Sequence, residues 1–214
     1  MSRYLLQNSD MGLRLVDRFS HQHPLHISFS DAGFSYRLKR SGPKKEMIAK
    51  AVAVKPSLKV IDCTAGLGRD AFLLASLGCE VTMFERSKVM AFLLEDALNR
   101  ALSDERLAEA ASRITLVQGD AITLLGRQST RSDVILIDPM FPIRKKSAQV
   151  KGTMQFLQRF IGKDEDVSTL MKCAMATGSQ RIVLKRPFSA VELDGFTPTF
   201  SLKGKSSRFD IFLQ

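Results

Sequence analysis

Tryptophan is absent from the 214 residues, tyrosine occurs twice, and the three cysteines, Cys63, Cys79 and Cys173, stand far apart without a CxxC pair. Such spacing gives neither a disulfide framework nor a zinc ribbon, so a reducing compartment is expected. No stretch approaches the roughly 20 consecutive apolar residues of a membrane span. The opening residues Met1–Asn8 also lack the apolar run of a secretory leader, so a cytoplasmic protein is expected. Acidic residues are in deficit: 22 Asp and Glu face 32 Lys and Arg, a formal net charge of +10 that suits a polyanionic partner. Histidine is scarce, and His21, His23 and His26 all precede the region read below as a sheet. Hydrolase chemistry built on a strand-end histidine is therefore poorly supported. Their HxHxxH spacing has no Cys, Asp or Glu at a fixed offset to complete a site, and no metal is expected.

What remains is ordinary globular material, 44% hydrophobic and 25% charged, which excludes a disordered or collagen-like chain. The length suits one domain, or one domain with a small appendage. From about Ser57 onward, short apolar runs alternate with longer amphipathic stretches, the pattern of βαβ units on a mostly parallel sheet. Strands are predicted at Leu58–Asp62, Glu80–Phe84, Ile114–Gln118, Asp133–Ile137 and Gln180–Lys185. Helices are predicted at Arg69–Leu77 before Gly78, at Lys88–Leu102 behind an N-cap at Ser87, and at Glu165–Ala176 ended by Gly178. After Arg186-Pro187 the helical rhythm stops, and Gly195–Leu202 and Arg208–Leu213 predict a C-terminal antiparallel hairpin. Ahead of the sheet, His26–Ser30 and Phe34–Leu38 flank Asp31-Ala32-Gly33 and predict a small β-hairpin, with a helix starting near Pro43. The expected architecture is α/β, a doubly wound, mostly parallel sheet, divided into an N-terminal extension over 1–46 and a main domain over 47–214.

The run Val60-Ile61-Asp62-Cys63-Thr64-Ala65-Gly66-Leu67-Gly68-Arg69-Asp70-Ala71 reads as a strand, a glycine turn and a helix start. This is how an open α/β sheet presents a ligand pocket at its carboxyl edge. Gly66, Gly68 and Ala71, with Glu85 further on, also satisfy the dinucleotide fingerprint. Charge separates the two readings, because a pyrophosphate needs donors at the helix N-terminus, whereas Asp62 and Asp70 flank this loop. S-adenosylmethionine (SAM) carries no phosphate; its sulfonium, ammonium, ribose hydroxyls and adenine amine all suit acidic partners. Acids stand at or just after four strand ends: Asp62, Glu85, Asp120 and Asp138. A single acid there needs no ligand to explain it, since it complements a helix start; four in register with a glycine turn point to the cofactor. By analogy Glu85 accepts from the ribose hydroxyls and Asp120 faces the adenine amine, while Arg69 and Arg86 stand within reach of the cofactor carboxylate or of solvent.

Val134–Ile137 is an apolar strand that stops at Asp138-Pro139-Met140-Phe141-Pro142, which resembles the Asp-Pro-Pro-Tyr type motif of amino-directed methyltransferases. An exocyclic base amine has its lone pair delocalised into the ring, so its methylation calls for acceptors that hold its hydrogens. Asp138 and the carbonyl of Pro139 are the natural acceptors, and Phe141 is placed to stack on an unstacked base. Basic residues gather at Arg37-Lys39-Arg40-Lys44-Lys45, at Arg144-Lys145-Lys146 with Lys151, at Lys185-Arg186, and at Lys203-Lys205-Arg208. Three of these clusters follow strand ends, so Arg144, Lys145, Lys146, Lys151, Lys185, Arg186 and Lys205 are candidate RNA contacts around the pocket.

Taken together, the glycine loop through Phe72, Glu85-Arg86, Asp138–Pro142, Lys146-Ser147-Ala148, Val150-Lys151, Lys185-Arg186-Pro187 and Arg208-Phe209-Asp210-Ile211 resemble the ribosomal small subunit methyltransferase J family, from about Phe34 to the C-terminus. The resemblance implies a class I SAM-dependent methyltransferase fold with a seven-stranded sheet. It also implies methyl transfer to the exocyclic N2 of a guanine in small-subunit ribosomal RNA, naked or in the assembled subunit. A monomer is the default expectation. Carried over by position, it implies cofactor contacts at Arg69, Asp70, Glu85, Arg86, Asp120, Ala121 and Asp138. Asp120-Ala121 departs from the small hydroxyl residues usual at that site, and Arg40-Ser41-Gly42-Pro43-Lys44 from the family's glycine-rich basic turn. The Asp-Pro motif does not itself name the base. Amino methylation of another base or of a protein, and a non-catalytic RNA-binding assembly factor, are the alternatives.

Overall fold

Alternating side chains open the chain: Tyr4–Ser9 (β1) and Gly12–Asp17 (β2) form an antiparallel hairpin in the register Tyr4↔Asp17 to Ser9↔Gly12, and Leu25–His26 (β3) adds to the other edge of β2. In this computed structural model the described residues are 2–127, 132–140, 152–161, 166–190 and 193–214. The expected hairpin around Asp31 is thereby corrected in position. Phe34–Leu38 lies instead inside the helix Ala32–Arg40 (α1), because the Asp31 carboxylate accepts the Phe34 N–H at 2.7 Å and caps that helix. The short helix Met47–Val52 (α2) follows, a little beyond Pro43.

The main sheet is laid down by Lys59–Asp62 (β4), Glu80–Glu85 (β5), Ile114–Gln118 (β6), Val134–Ile137 (β7), Arg181–Pro187 (β8), Phe200–Lys203 (β9) and Ser207–Leu213 (β10). Their spatial order is β6-β5-β4-β7-β8-β10-β9. The pairs from β6 through β8 are parallel, and β10 runs antiparallel to both β8 and β9. The strand order reverses beside β4, so the loops after β4 and β7 part there and leave a crevice at the carboxyl edge. Between strands run Arg69–Ser76 (α3), Lys88–Leu102 (α4), Ala108–Ser112 (α5), Ala121–Arg127 (α6), Gly152–Ile161 (α7) and Val167–Ala176 (α8). Ser87 caps α4 as its sequence position indicates.

All four residues of β7 are buried, as a strand covered on both faces requires. Val134 and Leu136 point into one apolar cluster, Ile135 and Ile137 into the other. The first cluster takes in α3 and α4 and also the N-terminal segment, through Leu15, Leu25, Ile27 and Phe29. Phe29 stacks on Phe72 of α3 with ring centroids 4.2 Å apart. Polar ties reinforce the junction, since Leu13 N–H donates to Asp96 and the Arg100 guanidinium donates to the Ile27 carbonyl. The N-terminal sheet and the main sheet thus share one core on the α4 side.

Candidate active site

The turn after β4 depends on glycine at two points, with φ of +55° at Gly66 and +69° at Gly68. A Cβ at Gly68 would stand 2.9 Å from Leu94 Cδ2 and 3.2 Å from Phe29 Cζ, so this glycine lets α3 start against the core. A Cβ at Gly66 would meet only the Thr64 carbonyl, at 3.7 Å. Gly66 lies on the cleft side, Gly68 on the packing side.

Asp62 ends β4 almost fully buried, its carboxylate accepting the Thr64 N–H at 3.0 Å. Burial pushes its carboxyl up to about 7; the Thr64 bond opposes that rise and the nearby Asp138 and Asp70 add to it. Glu85 ends β5 and accepts two backbone N–H groups, from Gly66 at 3.2 Å and Ser87 at 2.8 Å. Those bonds hold its carboxylate between the β4 and β5 loops. Asp120 follows β6 and accepts the Ile122 N–H at 2.8 Å, capping α6. At the end of β7 the Asp138 N–H donates to Thr64 Oγ1 at 2.7 Å, tying the Asp-Pro turn to the glycine loop.

Two adjoining clefts meet at Thr64, Gly66, Asp138, Pro139 and Met140. One, of about 670 Å³, is bounded by Glu85, Asp120, Ala121 and Arg86 with the apolar walls Phe84, Ile122 and Leu170. The other, of about 1130 Å³, is bounded by Asp62, Arg69, Asp70, Arg37 and Lys185. Acceptors beside apolar walls fit a nucleoside, and the mixed charges of the second cleft fit an amino-acid group. A pyrophosphate fits badly, because the Gly66 N–H that would cradle it is donated to Glu85 and two aspartates flank the loop. The donor and acceptor set therefore suits SAM.

A family model for SAM-dependent methyltransferases matches residues 1–214. The chain belongs to this family. Among its relatives, the ribosomal RNA small subunit methyltransferase J of Stutzerimonas stutzeri is 42% identical over 215 residues, covering 99% of this chain and 83% of that protein. The protein of the same name from Thioalkalivibrio sulfidiphilus is 43% identical, covering 89% of this chain and 76% of its own length. A SAM-dependent methyltransferase of Neisseria gonorrhoeae, solved by crystallography, superposes with a TM-score of 0.78 at 33% identity, covering 97% of this chain and 81% of that one. The architecture is that of the class I methyltransferases.

As a methyltransferase site, the clefts gather Asp62, Gly66, Arg69, Asp70, Glu85, Arg86, Asp120, Ala121, Asp138 and Pro139 along their walls. Arg69 lies 2.6 Å from Asp31 and over the Phe34 ring, and Arg86 lies 3.5 Å from Asp166. Two members of the basic set are placed otherwise than the sequence suggested. Arg186 is 6% exposed and pairs with Asp210 at 3.5 Å across the β8–β10 ladder, so its charge is spent inside the sheet. Lys185 points into the second cleft, 2.7 Å from both Asp70 and Asp138. Lys205 is exposed in the β9–β10 turn. Phe141, Arg144, Lys145, Lys146 and Lys151 lie outside the described residues.

Sequence reasoning missed Thr64 and Arg37. The signal for Thr64 was a hydroxyl directly between a strand-end aspartate and the glycine turn. Arg37 read only as one of a basic run, yet it lies 3.3 Å from Asp70 and 2.9 Å from Glu46. His26 Nε2 lies 2.8 Å from the Met11 carbonyl oxygen, and among the described residues no three metal-ligating side chains cluster. No described helix is long and apolar enough to cross a membrane.

Proposed function

We propose that this chain methylates the exocyclic N2 of a guanine in small-subunit ribosomal RNA. The observation that carries this reading is the Asp138-Pro139 turn, which borders both clefts and is fastened to the glycine loop through Thr64. The names of relatives more than 40% identical support the RNA class. Glu85, fixed by two backbone N–H groups, takes the ribose hydroxyls, and Asp120 and Ala121 border the adenine. Asp62, Asp70 and Arg69 serve the charged amino-acid end, and Arg86 borders the nucleoside cleft. Bound SAM would supply an electrophilic methyl on its sulfonium sulfur; the amine nitrogen would take the methyl, the sulfur would keep the bonding pair, and the proton the nitrogen gives up would pass to Asp138 or to water. Asp138 and the Pro139 carbonyl accept the amine's hydrogens and draw its lone pair out of the ring, and Phe141 packs on the base.

Lys205 and the basic residues at 144–146 and 151 serve the RNA backbone. The protein works in the cytoplasm as a monomer, with 1–46 as an extension on the catalytic domain 47–214. Asp138→Ala tests the core of this reading: transfer to undermethylated small subunits should fall by about 100-fold or more, while SAM binding by calorimetry is weakened but measurable. Full activity in that variant would remove the mechanism.

A further inference from the structure

Lys185 lies on β8 directly beside the catalytic turn, because the parallel register sets Ile137 of β7 against Leu184 and the next residues, Asp138 and Lys185, side by side. Its ammonium donates to Asp138 Oδ2 and to Asp70 Oδ2, each at 2.7 Å. Asp70 is held in turn by Arg37 at 3.3 Å, and Arg37 by Glu46 at 2.9 Å. A chain of alternating charges therefore runs from the segment between α1 and α2 to the Asp-Pro turn. A phosphate approaching Lys185 would meet Asp62, Asp70 and Asp138 around it, a setting that disfavours RNA backbone contact.

We propose that Lys185 is a positioning residue for methyl transfer: shared between Asp70 and Asp138, it keeps the Asp138 carboxylate ionised and fixed so that the target amine meets a preset acceptor. This rests on the proposed amino-directed reaction and assigns a role to a residue otherwise read as a phosphate contact. Burial by itself would favour loss of the Lys185 proton, but the two carboxylates outweigh it and hold the ammonium charged. Asp70, though buried, is likewise held below the usual carboxylate range by Lys185 and Arg37. Among the described residues, the groups facing Asp138 include Asp62 from β4, Asp70 from α3 with Arg37 behind it, and Lys185 from β8. Across the cleft stand Glu85, Arg86, Asp120 and Asp166, all unchanged in the variants below.

The test compares Lys185→Met, Lys185→Arg and the double variant Lys185→Met with Asp70→Asn, which removes the anchor while keeping the net charge of the trio. In the free protein, carboxyl-carbon NMR, assigned with Asp138→Asn, should show the Asp138 titration midpoint rising by about one pH unit or more in Lys185→Met. It should return towards wild type in Lys185→Arg. In turnover on undermethylated small subunits, both Met variants should lose kcat by about tenfold or more, with the acid limb of kcat moved to higher pH in Lys185→Met. The RNA KM should stay within about twofold, and kcat of the double variant is read at saturating SAM, because Asp70 also borders the amino-acid end of the cleft. An unmoved Asp138 midpoint overturns the proposal, as does a raised RNA KM with unchanged kcat, which would make Lys185 a phosphate contact. A wild-type protein that methylates no guanine would overturn the proposed function alone, while the NMR midpoint still decides the role of Lys185.

Discussion

Asp62 shows how burial at one residue sets a pH dependence for the whole chain. Folded, it releases its proton at about 7, against 3.8 for an ordinary aspartate, with burial as the main cause. The folded state therefore binds an extra proton between those values, so this group makes stability fall as pH rises from about 4 to 7 and level off above. Asp62→Asn should remove that fall and raise the melting temperature more at pH 8 than at pH 5, as thermal denaturation would show. The Asn side-chain oxygen can still accept the Thr64 N–H. Glu85 is a different kind of acid, held by Gly66 and Ser87 N–H groups where it borders the nucleoside cleft. Glu85→Gln should raise the SAM dissociation constant by about tenfold in calorimetry, and an unchanged constant would contradict its ribose role.

At the scale of elements, the glycine turn divides its work between ligand and packing. Gly68→Ala would force a Cβ against Leu94 and Phe29 from a left-handed backbone and should cost about 1 to 3 kcal/mol of stability, read from denaturant midpoints. The β9–β10 turn packs on the start of α2, where a Cβ at Gly204 would stand 2.8 Å from Met47 Sδ, and Lys203 and Lys205 flank that glycine. Lys203→Glu with Lys205→Glu should raise the RNA KM and reduce the salt slope of RNA binding by about 2, with SAM affinity unchanged. The strands and long helices of the parallel part were legible because apolar runs, Ser87 and the glycines all mark the same boundaries. Residues 34–38 were not, since alternation around Asp31 suggested a turn between strands, whereas the Asp31 carboxylate caps a helix. The true hairpin, β1 with β2, carries its signal in the alternation Leu13-Arg14-Leu15 behind Gly12, whose φ is +108°. Arg186 was misread because a charged side chain suggests a surface, and its partner Asp210 is far off in sequence. The acids of the site were legible at strand ends; the contacts that orient them, Thr64 to Asp138 and Lys185 to Asp138, exist only once β4, β7 and β8 lie side by side.

For the molecule as a whole, one core on the α4 side receives side chains from both the N-terminal sheet and the main sheet. Removing residues 2–30 would strip Leu15, Leu25, Ile27 and Phe29 from Phe72 and its neighbours. The truncated chain should therefore melt at a lower temperature, and the intact chain in a single calorimetric transition. The net charge of +10 suits a polyanionic partner, while Asp62, Asp70, Glu85, Asp120 and Asp138 line the clefts and suit a cationic cofactor. The most direct measurement is to incubate the purified protein with methyl-labelled SAM and undermethylated small ribosomal subunits, digest the RNA and identify the labelled nucleoside by mass spectrometry. Labelled N2-methylguanosine is the result this account predicts; label on another nucleoside, or none from a protein that binds SAM, would contradict it.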